Sequence, residues 1–440
     1  MKKEKLTIAK KLNKRQYKTP STFVWKLYGL FAKFPFLGLK YRATYKIIDD
    51  IKDCEGPAFI IWNHQSRRDH IFVKNIVAPR KFNMVAGYQE FFRKKFAFLF
   101  KFAQIVPKKK FTNDPGSIRA IDRIIKSGGT VAFSPEGTVS IFGHNQPIIS
   151  GTARYLKHYR IPVYFIKLEG AYLTSPTVCI DDRLGRVTAT LSLLFKPEDL
   201  MKMSPAEIEN KINDAFRHDD YKWNKQARVK FKTKGRAMTN MHDVLYKCPR
   251  CREELQMHAE GELIKCLHCG NGATMDDYYD FHPFDETCKI FDTPTDWVDW
   301  QRERVIREIR DNPKFSLSEE VEVGELPKFV TIKNRHKTSV PCGKGVITFD
   351  HQGIHFKGQK HGEPWSFDLS YSVVFSPIIQ NELKQFALAV NELFYDFYPK
   401  RRIVGKIILV IEEMHRLHFN TWKNFPWNDY MYAEAELTKK

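Results

Sequence analysis

The chain has 440 residues, of which 42% are hydrophobic, a content sufficient for two or three packed domains and too high for a disordered protein. The formal net charge of +21 favours a polyanionic partner, either an anionic membrane surface or a nucleic acid. Neither an apolar run of about 18 residues nor a secretory signal is recognised, so no transmembrane helix is predicted and any membrane contact is expected to be peripheral.

Residues 1–48 are predicted to form a basic arm followed by interfacial helices. Residues 1–20 are rich in lysine and poor in apolar side chains, which is typical of a solvated arm or of a segment that contacts anionic lipid. Residues 23–40 combine aromatic side chains with a lysine at every second helical turn, and Pro35 divides them into two short helices. Such a helix can pack on the neighbouring domain and still enter a bilayer interface.

Between residues 49 and 220, signals for strands and helices alternate. This alternation predicts an α/β sandwich with a mixed sheet. The predicted strands are 58–62, 82–86, 104–106, 130–134, 162–168 and 187–195. The predicted helices are 70–77, 90–102, one that begins after Asp114 and ends before Gly128, 151–159 and 205–216.

A polar motif, NHQSRRD at residues 63–69, follows the first of these strands. His64 is therefore expected at the carboxyl end of a strand, where α/β sheets carry their functional groups. Asp69 is expected in the first turn of the next helix, where it can accept a hydrogen bond from the imidazole and leave the other ring nitrogen basic. The same residues also fit a capping box, in which Asp69 only satisfies the start of the helix.

A second motif, PEGT at residues 135–138, follows the predicted strand 130–134 and provides an acid and exposed backbone amides. The order and spacing of the two motifs resemble those of the glycerolipid acyltransferases of the lysophosphatidic acid acyltransferase (PlsC-like) family. The likeness covers about residues 20–220. It includes QIVPKK at 104–109, at the place of the family's basic acceptor-binding block, and IPVY at 161–164, which matches the fourth block.

The resemblance implies an enzyme that moves a fatty acyl group from acyl-CoA or acyl carrier protein to a hydroxyl of a lysophospholipid. The expected acceptor is 1-acyl-glycerol-3-phosphate. His64 is then the general base, and Asp69 orients the imidazole and stabilises its positive charge. The residues implied to bind the polar head of the acceptor are Lys108, Lys109, Glu136, Gly137 and Thr138.

The chain departs from the family pattern at two places. Val139 stands where the family usually has an arginine that is thought to hold the acceptor phosphate. The basic block has lysines where an arginine is typical, and a lysine offers a point charge without a bidentate fork. Arg67 and Arg68 stand where the family tends to carry aromatic or apolar residues, and they are candidate substrate-binding residues that compensate for the loss.

Residues 221–244 are predicted to be a basic linker that is poor in helix. The following segment, residues 245–285, contains Cys248-x2-Cys251 and Cys266-x2-Cys269, two pairs separated by fourteen residues. Four thiolates with this spacing predict a zinc ribbon, in which Zn²⁺ has a closed tetrahedral site and a structural role.

Residues 290–440 are predicted to form a β-rich domain. A helix is expected at 297–310 and a closing amphipathic helix at 403–418. The predicted strands are 328–332, 345–349, 353–357, 364–369, 372–377, 383–390 and 393–398. Several strands followed by one helix resemble a pleckstrin-homology or GRAM-like module, and the alternative is a β-rich domain that packs on the enzyme.

Two other functions share some of these features. A nucleic-acid-binding protein would use the ribbon and the positive charge, but the four glutamates of the ribbon count against it, so nucleic acid is not the expected partner. A thioesterase would use His64 to activate water, because a base beside a thioester does not choose the nucleophile. The expected location is the cytoplasmic face of a membrane, with peripheral attachment to anionic lipid.

Overall fold

The computed structural model describes residues 6–33, 42–110, 112, 114–149, 151–329, 338–379 and 381–419. They contain a seven-stranded sheet, a four-stranded sheet and a second seven-stranded sheet, in that order along the chain. Within these ranges, no helix combines the length and the apolar character needed to cross a membrane.

Two helices precede the first sheet, α1 (Ile8–Asn13) and α2 (Thr22–Lys33). Trp25 fixes α2 to the α/β domain, because its buried ring meets the ring of Phe82 edge to face at a centroid distance of 4.9 Å. The second helix that the sequence predicts, after Pro35, lies outside the described residues.

The first sheet is mixed. Its strands are β1 (Arg42–Ile47), β2 (Phe59–Trp62), β3 (Asn83–Gly87), β4 (Val106–Lys108), β5 (Val131–Phe133), β6 (Val163–Glu169) and β7 (Arg186–Phe195). Their order is β1-β7-β6-β2-β5-β3-β4; β2 to β6 are parallel, and β7 is antiparallel to β6. The carboxyl ends of the parallel strands therefore meet at one edge, and the motifs after the neighbouring strands β2 and β5 lie side by side.

Helices cover both faces of this sheet. The helices of this part of the chain are α3 (Asp69–Ile76), α4 (Lys94–Phe102), α5 (Pro115–Lys126), α6 (Thr152–Tyr159), α7 (Ala171–Thr174), α8 (Pro197–Lys202), α9 (Pro205–Phe216) and α10 (Asp220–Ala227). Alternate residues of β2 serve the two faces: Ile60 and Trp62 pack with α2 and α3, whereas Phe59 and Ile61 pack with α5, α6 and α9. The predicted α/β sandwich is confirmed.

Two differences from the predicted elements have local causes. β1 was not predicted, because it is an edge strand with exposed side chains and lacks an apolar alternation. The single helix predicted at 90–102 is wrong: a short 3-10 helix (Tyr88–Phe92) and α4 are separated by Arg93, whose backbone is extended.

The second sheet is small and antiparallel. Its strands are β8 (Met257–Glu260), β9 (Leu263–Cys266), β10 (Gly272–Met275) and β11 (Phe281–Pro283), in the order β11-β10-β9-β8. One pair of cysteines precedes β8; of the other pair, Cys266 ends β9 and Cys269 lies between β9 and β10, as a ribbon requires.

The third sheet follows helix α11 (Pro294–Asp311) and is closed by α12 (Val404–Phe419). Its strands are β12 (Ser316–Glu325), β13 (Val340–Asp350), β14 (Gly353–Lys360), β15 (Glu363–Leu369), β16 (Ile378–Ile379), β17 (Phe386–Val390) and β18 (Leu393–Pro399). They are antiparallel in the order β15-β14-β13-β12-β18-β17-β16, which confirms a β-rich C-terminal domain.

Within this domain, β12 was missed because serine and glutamate occupy most of its positions, and its only large apolar side chains are Leu317, Val321 and Val323. The strand predicted at 372–377 is wrong, because this segment is a turn and a bend before β16. Of the strand predicted at 328–332, residues 330–332 lie outside the described residues, and 328–329 form a bend.

The predicted linker, residues 221–244, belongs to a core. It contains most of α10, so its description as helix-poor is wrong, and Val229, Phe231 and Met238 are buried among side chains of the ribbon and the third sheet. Basic residues between these apolar positions gave the segment the composition of a solvated linker.

Candidate active site

His64 and Asp69 form a hydrogen-bonded pair at the carboxyl end of β2. His64 Nδ1 lies 2.8 Å from Asp69 Oδ2. Asp69 Oδ1 accepts two further hydrogen bonds, from Ser66 N and Ser66 Oγ, each at 2.9 Å. Because both carboxylate oxygens have donors, Asp69 is fixed in place, and it favours the tautomer of His64 in which Nε2 carries the lone pair.

The surroundings of the two residues differ. Asp69 is 1% exposed, whereas the side chain of His64 is 28% exposed and accessible to a substrate. Burial raises the pKa of the Asp69 carboxyl, and the hydrogen bonds from His64 and Ser66 offset part of that effect. The bond from Ser66 N lies just before α3, but the N-cap of this helix is Arg68 and it has no side-chain capping bond, so the full capping box of Ser66 and Asp69 does not form.

Glu136 points into the protein and supports the backbone of the first motif. Its Oε1 accepts a hydrogen bond from His64 N at 2.7 Å and its Oε2 accepts one from Gln146 N at 2.5 Å. Burial raises the pKa of Glu136 to about 8, against the opposing effect of these two N–H donors. The carboxylate therefore links the two motifs, and a direct contact between Glu136 and the acceptor stays a prediction.

The rest of the second motif is a tight turn. Gly137 has a φ of +69°, and a Cβ at this position would lie 2.2 Å from Ile149 Cδ1, so only glycine fits. Thr138 is buried, and its hydroxyl has no hydrogen-bond partner among the described residues. Two residues on, Ser140 N donates to His64 O at 2.7 Å, a second link between the motifs.

The lysines of the basic block lie at the same sheet edge but away from His64. Lys108 ends β4, three strands from β2, which corresponds to about 14 Å across the sheet. Lys108 Nζ lies 4.0 Å from Asp114 Oδ2, and Lys109 Nζ lies 5.6 Å from the centre of the Tyr88 ring. Burial lowers the pKa of Lys108 below its ordinary value. These ammonium groups suit a phosphate that is remote from the reacting atoms.

Arg67 and Arg68 both bind the carboxylate of Asp182. Arg67 Nη2 donates to Asp182 Oδ1 at 2.9 Å, and Arg68 donates through Nη2 to Oδ2 at 2.7 Å and through Nε to Oδ1 at 3.3 Å. Arg67 also donates to the carbonyl oxygens of Cys179 and Asp181, both at 3.1 Å. The loop between α7 and β7 is thus attached to the motif that carries His64.

The four cysteines predicted to bind zinc converge. Their sulfur atoms all lie within 4.8 Å of one another, and the pairs Cys248–Cys269 and Cys251–Cys266 are 3.7 Å apart. Sulfurs at about 2.3 Å from one ion in a tetrahedron are about 3.8 Å from each other, so the arrangement fits Zn²⁺. The separation is far longer than a disulfide bond.

Sequence reasoning missed four residues that shape this site. Ser66 lies inside the first motif and was recognisable as part of the capping pattern, but Ser140, Gln146 and Asp182 carry no local signal. Asp182 is 115 residues from Arg67, and only the folded chain shows that they meet.

Comparison with known proteins identifies the region that contains this site. Residues 42–167 match the family model described as Acyltransferase, which confirms the predicted relationship for that part of the chain. A comparison with curated protein sequences gives no match.

Several solved structures are similar to parts of the chain, and three of them follow. The 1-acyl-sn-glycerophosphate (LPA) acyltransferase PlsC from Thermotoga maritima covers 44% of this chain and 77% of its own, with 19% identity and a TM-score of 0.39. The RAN binding domain of NUP2 from Ashbya gossypii covers 23% and 98%, with 10% identity and a TM-score of 0.18. SsgB of Streptomyces coelicolor covers 22% and 86%, with 11% identity and a TM-score of 0.14.

Proposed function

We propose that this chain, whose residues 42–167 belong to the Acyltransferase family, transfers a fatty acyl group from a thioester to a hydroxyl of a lysophospholipid. The observation that carries the proposal is the His64–Asp69 pair, which combines a partly exposed imidazole with a buried, fully hydrogen-bonded carboxylate. A neutral histidine held in one tautomer is suited to remove a proton from a hydroxyl.

In the proposed reaction, His64 Nε2 takes the proton of the acceptor hydroxyl as its oxygen attacks the thioester carbonyl. The C–O bond forms, the C–S bond breaks, and the proton passes from the imidazolium to the leaving thiolate. Asp69 stabilises the imidazolium while it exists. Glu136, through His64 N, keeps the backbone of the base in position. No covalent enzyme intermediate is required.

The donor and the acceptor are proposed from the charges at the sheet edge. Lys108 and Lys109 can bind phosphates of acyl-CoA, acidic groups of acyl carrier protein, or the phosphate of the acceptor. The resemblance names 1-acyl-glycerol-3-phosphate as the acceptor. The test is to incubate the protein with labelled acyl-CoA or acyl carrier protein and a panel of lysophospholipids and to identify products by mass. Free fatty acid as the main product with every acceptor would instead support a thioesterase.

Attachment to a membrane surface is proposed from the exposed side chains of α2 and α4. Phe23, Leu27 and Leu30 follow one another at helical spacing on α2 and are exposed, opposite the buried Trp25. On α4, Phe98 and Phe102 are exposed, and their rings contact each other in a tilted arrangement at a centroid distance of 4.5 Å. With a net charge of +21, such surfaces suit an anionic leaflet.

A structural Zn²⁺ is proposed at the four cysteines. The ion would join the two cysteine pairs of the ribbon and leave no open position for catalysis. The ribbon packs on the acyltransferase domain through Tyr279, whose hydroxyl donates to Leu173 O at 2.7 Å. Its proposed effect on the active site is therefore indirect.

A further inference from the structure

The carboxylate of Asp182 occupies the guanidinium groups nearest to His64 in the sequence. Arg68 donates two hydrogen bonds to this carboxylate, from Nη2 to Oδ2 at 2.7 Å and from Nε to Oδ1 at 3.3 Å. Two oxygens of a phosphate group would bind a guanidinium in the same bidentate geometry. The side chains of Arg67 and Arg68 are 19% and 27% exposed, so neither is sealed from solvent.

The loop that carries Asp182 is held in place from the other side. The neighbouring Arg183 is buried, and its guanidinium donates to Tyr279 Oη at 2.7 Å and to Arg236 O at 2.6 Å. Tyr279 belongs to the turn between β10 and β11, and Arg236 to the segment before the ribbon. The position of Asp182 is thus determined by buried contacts as well as by its own ion pairs.

The charges of Arg67, Arg68 and Asp182 bear on which phosphate group this ion-paired cluster can accept. Arg67 and Arg68 contribute two positive charges and Asp182 one negative charge, which leaves a net charge of +1. Apart from these arginines, residues 63–69 and 135–140 contain no lysine or arginine. Position 139, where the family usually has an arginine, is Val139. A phosphate monoester carries about −1.5 to −2 at neutral pH, whereas a phosphate diester carries a single charge.

We propose that Asp182 is a specificity-determining residue, which disfavours acceptors with a phosphate monoester and favours lysophospholipids whose phosphate is a diester. The carboxylate competes for the bidentate donors that a monoester needs, and the remaining single charge matches a diester. This inference rests on the proposed function, and it replaces 1-acyl-glycerol-3-phosphate as the preferred acceptor.

The experiment compares 1-acyl-glycerol-3-phosphate with 1-acyl-glycero-3-phosphoethanolamine of the same acyl chain, with kcat and KM measured for each acceptor and for the acyl donor. The variant Asp182→Asn removes the charge and keeps the size of the side chain. The control is Asp181→Asn, which removes a charge one position earlier, where Asp181 Oδ1 binds Arg236 Nη2 at 3.0 Å. Its backbone carbonyl, which binds Arg67, is unchanged.

Wild type is expected to have the higher kcat/KM with the diester. Asp182→Asn should lower KM for the monoester about 10-fold or more, leave KM for the acyl donor within about 2-fold, and reverse the preference; Asp181→Asn should keep it. Equal losses with both acceptors would show that Asp182 only holds the loop, and would overturn the inference. A wild type with the higher kcat/KM for the monoester would also overturn the inference, and this result does not depend on whether Asp182→Asn folds. If wild type acylates neither lipid nor any other acceptor, the proposed function itself fails.

Discussion

Replacement of Asp69 by asparagine separates the contact of this residue with His64 from its contacts with Ser66. Oδ1 of the carboxylate accepts from Ser66 N and Ser66 Oγ, and Oδ2 faces His64 Nδ1. The carbonyl oxygen of an asparagine can keep the two bonds from Ser66, and its NH2 group then points at the imidazole. His64 Nδ1 must accept that hydrogen bond, so the ring proton moves to Nε2 and the base is lost.

The magnitude follows from this change of tautomer. General-base catalysis contributes about 10²–10⁴ to a rate, so Asp69→Asn is expected to lower kcat by roughly 10² or more with little change in KM for the donor. The bonds from Ser66 remain, so the free energy of unfolding should change by no more than about 1 kcal/mol. Ser66→Ala is the matched control, because it removes one donor to Asp69 and leaves the contact with His64.

The assay is steady-state formation of acylated lipid, together with urea unfolding of each variant. The expected result is a large loss of kcat in Asp69→Asn at nearly unchanged stability, and a much smaller loss in Ser66→Ala. If Asp69→Asn kept kcat within about 3-fold, the contact of Asp69 with His64 would have no role in catalysis, and Asp69 would only support the start of α3.

Three further predictions concern Glu136, the zinc site and the binding of the protein to anionic lipid. The pKa of Glu136 is about 8 in the folded protein and ordinarily 4.5, so between these pH values the folded state binds more protons than the unfolded state. Relative to Glu136→Gln, wild type should therefore lose stability as the pH rises from about 4.5 to 8, by at most about 1.4 kcal/mol per pH unit in denaturant titrations. A stability difference between the two proteins that does not change with pH would contradict this. Purified protein should contain one zinc per chain by elemental analysis, and Cys251→Ser should lower both zinc content and thermal stability; an active, metal-free protein would refute the site. The double variant Phe23→Ser, Leu30→Ser should sediment less with anionic vesicles than wild type, whereas Leu267→Ser, which changes an exposed leucine of the ribbon, should sediment as wild type does. High salt should release wild type from the vesicles, and a need for detergent would indicate deeper insertion.

Local patterns predicted the parts of the site that are close in sequence. β2 and β5 are short apolar runs before polar motifs, and the four residues between His64 and Asp69 bring the end of β2 close to the first turn of α3. The spacing of the cysteines similarly predicted a cluster that the fold brings together.

Contacts between distant segments could not be predicted in this way. Arg67 and Arg68 looked available for a substrate, and their partner Asp182 lies in a loop more than a hundred residues away. The carboxylate of Glu136 looked exposed in a turn, but the turn folds it inward onto backbone N–H groups. Both corrections concern where charged side chains find partners, which depends on the packing of whole elements.

The most direct test of the proposed catalytic centre is the mass of the products made from labelled acyl-CoA and a lysophospholipid by wild type, His64→Ala and His158→Ala, whose histidine lies exposed on α6. Wild type and His158→Ala are expected to form acylated lipid at similar rates, and His64→Ala should lose this activity by about 10² or more while it remains folded. Acylated lipid formed at the wild-type rate by His64→Ala would contradict the role of His64 as the base.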